Sequence, residues 1–343
     1  MATLSQNYLS IIDVVKRAGP NGEGAADILE ILNDTSQDIL SDFHFMECNK
    51  GAEHMHTIRM ALPTLAWGAL YKGITQSKSE VQNVTDTTGF VEALSTVDTR
   101  VLELAGDKES AIRAMESKSF LEAMSQELVK SLFYYDNATD AKHPKGLGAR
   151  FGALATSGAG NQIVDAGGTG SDNTSIWLAT WGDDAVCALY PKGTNAGITQ
   201  TDKGEQRVLD ASGNPYYVKE ELIKANLGYS VKDYRKVARV ANIDASDLAA
   251  GSVDVYKFLR QAYYKLQGRR SMKVADQKAT GRTVMYANRD VIEALDAAAT
   301  NATTGDNFTR LRYMEVEGKE VMAYRNIPIR ECDALLNTEA RVV

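Results

Sequence analysis

Hydrophobic and polar positions divide the chain into stretches that can build a core and one that cannot. From Ile74 to Asp86, strand alternation puts Ile74, Gln76, Lys78, Glu80, Gln82, Val84 and Asp86 on one face. Thr75, Ser77, Ser79, Val81, Asn83 and Thr85 fall on the other, so neither face is apolar. A second arm, Phe90 to Leu104, sets Val91, Ala93, Val97 and Val101 against Glu92, Asp98 and Arg100. The pattern predicts a long β-hairpin, led in by HTIRMALP, with arms of roughly 40 Å. A two-stranded hairpin is marginal in water. This one is therefore expected to be stabilised by another subunit.

The next stretch changes period. Phe120, Met124, Leu128 and Leu132 recur at four-residue steps, and Leu121, Val129 and Phe133 widen the stripe. A single long helix from about Glu109 to Tyr135 follows, with Asp107 as its expected N-cap. Upstream, residues 4–18 and 24–33 fit two short amphipathic helices of an N-terminal arm. Lys145 to Asn173 is rich in Gly, Ala and Ser and suits a long loop. TSIWLATWGDDAVCALYP reads as two strands around a GDD turn, ASGNP as a hairpin turn and NLGYS as a reversal. SVDVYKFLRQAYYKLQ is a helix with Ser252 at its cap. RTVMYAN is a strand, followed by a helix capped by Asn288 with Asp290 in its first turn. The end of the chain is a hairpin about Gly318 and a further extended segment. Strands and helices mix without βαβ alternation, which predicts an α+β fold.

Composition narrows the function classes. The chain has 343 residues, is 44% hydrophobic and 24% charged, and carries a net charge of −7. Such a balance argues against generic nucleic-acid binding. No apolar run has the length of a membrane span, and the N-terminus lacks the pattern of a signal peptide. The three cysteines, Cys48, Cys187 and Cys332, form no CxxC pair and read as buried free thiols in a reducing cytoplasm.

Candidate chemistry is sparse. His44, Cys48, His54 and His56 cluster in HFMECNKGAEHMH, and His54 and His56 share a face if the segment is a strand. A metal-dependent enzyme using His44, His54 and His56 is one alternative, with a solvated or packed histidine pair as the plainer reading. SGAGNQIVDAGGTG lacks the strand–helix context of a phosphate loop, and no GxSxG elbow occurs. Asp183 and Asp184 fit a turn. Lys257, Arg260, Lys265, Arg269, Arg270, Lys273, Lys278 and Arg282 form a basic stretch with Tyr263 and Tyr264 interleaved. A nucleic-acid-binding module using 257–282 is the second alternative. A solvated or inter-subunit face is the other reading.

The ordered parts resemble a family. ADILEILNDTSQDIL, RMALPTLAWGALYKGITQSKSEVQNVTDTTGFVEALSTVDTRV, FLEAMSQELVKSLFYYDN with KGLGARF, and SIWLATWGDDAVCALYPKGTNAGI are similar to major capsid proteins of tailed phages. The wording looks closest to the short-tailed, or podovirus, branch with the Hong Kong 97-like fold. The resemblance implies an N-terminal arm and lead-in over 1–56, an extended E-loop hairpin over 57–104, and the spine helix of a peripheral domain over 105–149. It implies a mainly axial domain over 150–307, and C-terminal strands returning to the peripheral domain over 308–343. The implied function is a head protein, not an enzyme, that self-assembles through pentamers and hexamers into an icosahedral shell enclosing double-stranded DNA. Implied partners are a scaffolding protein, a portal protein, a cement protein and the packaged DNA by weak non-specific contact. No membrane, cofactor or metal is implied, and the place is the virion, after assembly in the host cytoplasm. Lys72, Lys78, Glu80, Phe90, Asp98 and Arg100 are the inter-subunit candidates. Lys257, Arg260, Lys265, Arg269, Arg270 and Lys273 are candidates for a genome-facing or interface surface.

Overall fold

The computed structural model describes residues 39–210, 212–267, 282–300, 311–316 and 319–343. The arm helices expected over 4–18 and 24–33, and Arg269, Arg270, Lys273 and Lys278, lie outside the described residues. Strand β1 (Phe45–Glu47) leads to β2 (Glu53–Ala61) and then to β3 (Glu80–Asp98). β3 is one unbroken strand of 19 residues, about 60 Å long. Helix α1 (Thr99–Ala105) and a 3-10 turn at Gly106–Lys108 hand over to α2 (Glu109–Tyr134), of 26 residues and about 39 Å. Lys108 occupies its cap position without a side-chain capping hydrogen bond. The expected cap at Asp107 is corrected, because Asp107 lies within the 3-10 turn.

The chain continues through α3 (Leu147–Arg150), β4 (Ile163–Asp165), β5 (Asn173–Trp181), β6 (Val186–Tyr190), β7 (Gly197–Leu209) and β8 (Pro215–Val231). After β9 (Val237–Asp244) come α4 (Ala245–Ala249), α5 (Val255–Lys265), β10 (Arg282–Ala287) and α6 (Arg289–Thr300). Strands β11 (Arg312–Val316), β12 (Lys319–Tyr324) and β13 (Ile327–Glu331) end it. Asp254, not Ser252, caps α5, accepting from the Lys257 amide at 3.1 Å. Asn288 accepts from the Asp290 amide at 3.1 Å, as expected. NLGYS is not a reversal but the straight interior of β8. A Cβ at Gly228 would lie 2.9 Å from the Thr87 carbonyl oxygen, so the glycine serves close approach to β3 and not a turn.

The core has three layers, set by the period-two alternation of β5, which is buried at every position. β5 is flanked by antiparallel β9 and β10, and β13 continues the sheet parallel to β10. Trp177, Ala179 and Trp181 face one way and pack with Leu132 and Phe133 of α2, Phe43 and Tyr286. Ile176 and Leu178 face the other way and pack with Leu259 and Ala262 of α5 and Val291 and Leu295 of α6. The C-terminal strands belong to that second layer: Tyr324, Ile327 and Ile329 pack there, not on the long helix. Within the subunit β13 pairs with β10. Among the described C-terminal residues, the tail past Glu331 reaches α2. There the Glu339 carboxylate accepts from Tyr134 Oη (2.6 Å), Ser175 Oγ (2.5 Å) and Arg239 Nη2 (2.9 Å), with Arg239 stacked 4.7 Å over Trp177.

Hairpin β7–β8 lies beside β3 and α2. β8 pairs with β3 from Thr88↔Gly228 to Asp98↔Val218. Arg113 to Asp202 (3.0 Å) and Lys219 to Glu109 tie α2 to the hairpin, and Lys224 pairs with Glu92 (2.9 Å) across β8 and β3. Among the described residues, no helix is long and apolar enough to cross a membrane.

Candidate assembly surface

The extended hairpin exists, but its register differs from the sequence expectation. β2 pairs antiparallel with β3 from Glu53↔Thr87 to Ala61↔Glu80. The outbound arm is therefore 53–61, the tip is 62–79, and 80–98 is the return. The expected turn near Asp86–Gly89 does not form, because those residues continue β3 into the body, where β8 supplies the neighbouring ladder. The hairpin also ends at Asp98, since Thr99–Ala105 is helical.

The tip is where apolar side chains have no partner. Leu65 is 91% exposed, Trp67 102%, Leu70 90% and Tyr71 105%, and Met60, Leu62, Ile74 and Val81 flank them in the open. Two local bonds shape the loop: the Lys72 amide donates to Ala69 O (3.2 Å) and Ser77 Oγ to Thr64 O (2.7 Å). Tyr71 sits at φ 62, a left-handed conformation that β-carbon-bearing residues rarely adopt. A monomer that holds this much apolar surface on a projection is built to bury it against something else. Alternation along TLAWGALY fits neither a strand nor a helix, so periodicity did not mark these residues; the signal was their density between two polar arms.

The expected inter-subunit residues divide into two groups. Lys72, Lys78 and Glu80 are exposed on or beside the tip. Phe90 is 65% exposed on the stem, with Lys224 Nζ 5.0 Å from its ring centre. Asp98 and Arg100 sit at the opposite end of β3 and are spent on each other. Asp98 caps α1 by accepting from the Arg100 amide (2.9 Å) and pairs with its guanidinium at 2.7 Å, which holds the carboxyl below its usual range. In the basic stretch, Lys257 and Arg260 are exposed on α5. Lys265 instead donates to the carbonyls of Asn161 and Ile163 (3.0 Å), a structural tie, and burial lowers its pKa.

The histidine cluster does not converge. His44 Nε2 bonds Asp183 Oδ1 at 2.7 Å, away from the stacked pair His54 and His56. Among the described residues no three His, Cys, Asp or Glu side chains are placed to hold a metal. Cys48, Cys187 and Cys332 are buried free thiols, as expected.

A family model described as major capsid protein GP7 matches residues 19–343. Among solved structures, one of bacteriophage Epsilon15 is 28% identical, with a TM-score of 0.78, covering 100% of this chain and 99% of that one. The bacteriophage JBD30 capsid is 10% identical, with a TM-score of 0.48, covering 90% and 96%. An encapsulin complex from Synechococcus elongatus PCC 7942 is 12% identical, with a TM-score of 0.43, covering 68% and 96%. No curated protein matches by sequence.

Proposed function

The chain belongs to the GP7 family of major capsid proteins, and from that premise we propose that the tip of the β2–β3 hairpin is its main assembly contact. That the protein is a phage head protein of Hong Kong 97-like fold, whose copies build the icosahedral shell of the virion, follows from the family and from the full-length likeness to Epsilon15. A structural shell protein has a non-enzymatic role.

The observation that carries the proposal is the exposed apolar tip. Leu65, Trp67, Leu70 and Tyr71 lie on a neighbouring copy in the shell, where burial of each contributes roughly 1.5–3 kcal/mol. Lys72, Lys78 and Glu80 rim that contact, and exposed ion pairs there add about 0–1 kcal/mol each. Closed symmetry repeats the contact in every capsomer, pentamer or hexamer, so modest pair energies sum to a stable shell. Residues 53–98 with α2 and the β7–β8 hairpin form the peripheral part, and the sheet centred on β5 with α5 and α6 forms the axial part. Lys257 and Arg260 face the packaged DNA or a neighbour. A scaffolding protein, a portal and a cement protein are the further partners of such a shell.

Replacing 62–79 by a two-residue turn tests this. The truncated subunit is expected to fold, with an unchanged melting temperature, and to stay dispersed by sedimentation with scaffold supplied. Shells of normal size from the truncated chain would overturn the proposal.

A further inference from the structure

The root of the hairpin holds a buried polar cluster that the assembly contact does not use. In the β2–β3 register His54 lies directly opposite Asp86, and His56, opposite Val84, follows two pairs nearer the tip. The two imidazoles stack with centres 6.2 Å apart. Asp86 Oδ1 accepts from Arg150 Nη2 of α3 at 2.7 Å, and the same nitrogen donates to the Tyr229 carbonyl of β8 at 2.9 Å. His56 Nδ1 lies 3.7 Å from Asp86 Oδ2 and 3.5 Å from Ser230 Oγ. Among the described residues, His54 Nδ1, His56 Nε2 and Asp86 Oδ2 are buried without a hydrogen-bond partner. The cluster therefore joins both hairpin strands to the body through groups whose bonding is incomplete.

We propose that the cluster of His54, His56, Asp86 and Arg150 is an acid-sensitive hinge that sets the angle of the hairpin against the body of the subunit. This rests on the reading of the hairpin as the assembly lever. From β3 comes a single carboxylate, Asp86, already bound by Arg150 of α3. From the end of β8 comes Lys232, whose charge bears on both histidines, while the neighbouring Cys48 and Cys187 are neutral thiols. With both imidazoles neutral, two cations face one anion. Protonating both would place four cations around it in a site with His56 9% and Asp86 3% exposed.

Burial first, then Lys232 and the partner histidine, hold His54 below its ordinary value of 6.5, against the pull of Asp86. Burial likewise holds His56 down, with Lys232 and Arg150 adding to it and Asp86 opposing. An open hinge takes up protons that the closed one refuses. The closed form is thus fully favoured above about pH 6.5 and loses ground as pH falls below it. At pH 5.5 an exposed histidine is roughly ten-elevenths protonated. Opening is then favoured by up to about tenfold for one histidine that stays neutral in the closed form and up to about a hundredfold for both.

The test is hydrogen exchange of the dispersed full-length subunit at pH 7.5 and 5.5, expressed as protection factors. Protection over 53–61 and 80–87 is expected to fall, by up to about a hundredfold, while 109–134 in α2 stays level. In His54→Gln/His56→Gln the fall disappears. Unchanged or increased protection in the wild type would overturn the hinge, as would an equal fall in the double variant. Should that variant not fold, an imidazole NMR titration of the wild type decides: titration of both rings at or above pH 6.5 rejects the hinge, and titration below it supports it. None of these readouts requires a shell, so the truncation experiment can fail without altering this result.

Discussion

Replacing Glu339 by glutamine is expected to destabilise the subunit strongly although the side chain keeps its size. The Arg239 and Glu339 side chains are 7% and 6% exposed. Tyr134 and Ser175 donate to opposite oxygens of the carboxylate, so the single amide oxygen of glutamine can accept from one of them but not both, and the Arg239 guanidinium is left without a negative partner beside Trp177. Breaking a buried pair in this way costs about 3–5 kcal/mol. With an unfolding entropy of about 2.1 cal/mol/K per residue, the 343-residue chain should lose roughly 4–7 °C in melting temperature. Scanning calorimetry of the dispersed subunit measures it. Arg239→Met with Glu339→Leu should recover most of the loss, because removing both charges avoids the orphaned cation. A shift under about 1 °C for Glu339→Gln, or a double variant as unstable as the single one, would refute the assignment of the network as the tie between tail and long helix.

Two further outcomes follow from packing and burial. Gly148→Ala would place a Cβ 2.1 Å from the Phe133 carbonyl oxygen at the end of α2; the variant is expected to lose more than about 3 kcal/mol and to accumulate as insoluble chain, whereas wild-type solubility and stability would show that α3 can move away. Burial raises the thiols of Cys48 and Cys187 to about 11 and of Cys332 to about 12. A thiol reagent at pH 8 should therefore label none of them until denaturant is added, and rapid labelling of the native subunit would contradict the burial.

What the sequence disclosed depended on whether one stripe or one period dominated a segment. The long helix was legible because Met124, Leu128 and Leu132 all turn to a single core. β5 was legible as a strand, but not as the shared wall of two layers, since a run buried on both faces carries no polar alternation. The hairpin was seen and misregistered. Thr87, Thr88 and Gly89 look like a turn, yet the Gly89 position is glycine because a Cβ would meet the Lys142 carbonyl oxygen at 2.7 Å. Close approach of distant backbone leaves the same mark in a sequence as a reversal, which also explains Gly228. Asp98 and Arg100 were charged residues near a strand end, and only the helix that follows shows that they satisfy each other. At the tip the polar arms carry the readable pattern, while the exposed apolar side chains Leu65, Trp67, Leu70 and Tyr71 lie in the unpatterned stretch between them.

β3 also has a mechanical meaning. The strand that ends at the tip is the same covalent strand that lies in the wall of the body. Tension on the tip, such as the outward pressure of packed DNA would impose on a closed shell, runs along the axis of β3. The ladder from Thr88↔Gly228 to Asp98↔Val218 is then loaded in shear, all its rungs sharing the force at once, instead of being unzipped rung by rung. The hairpin behaves as a tie-rod whose anchorage is spread over the length of its own grip.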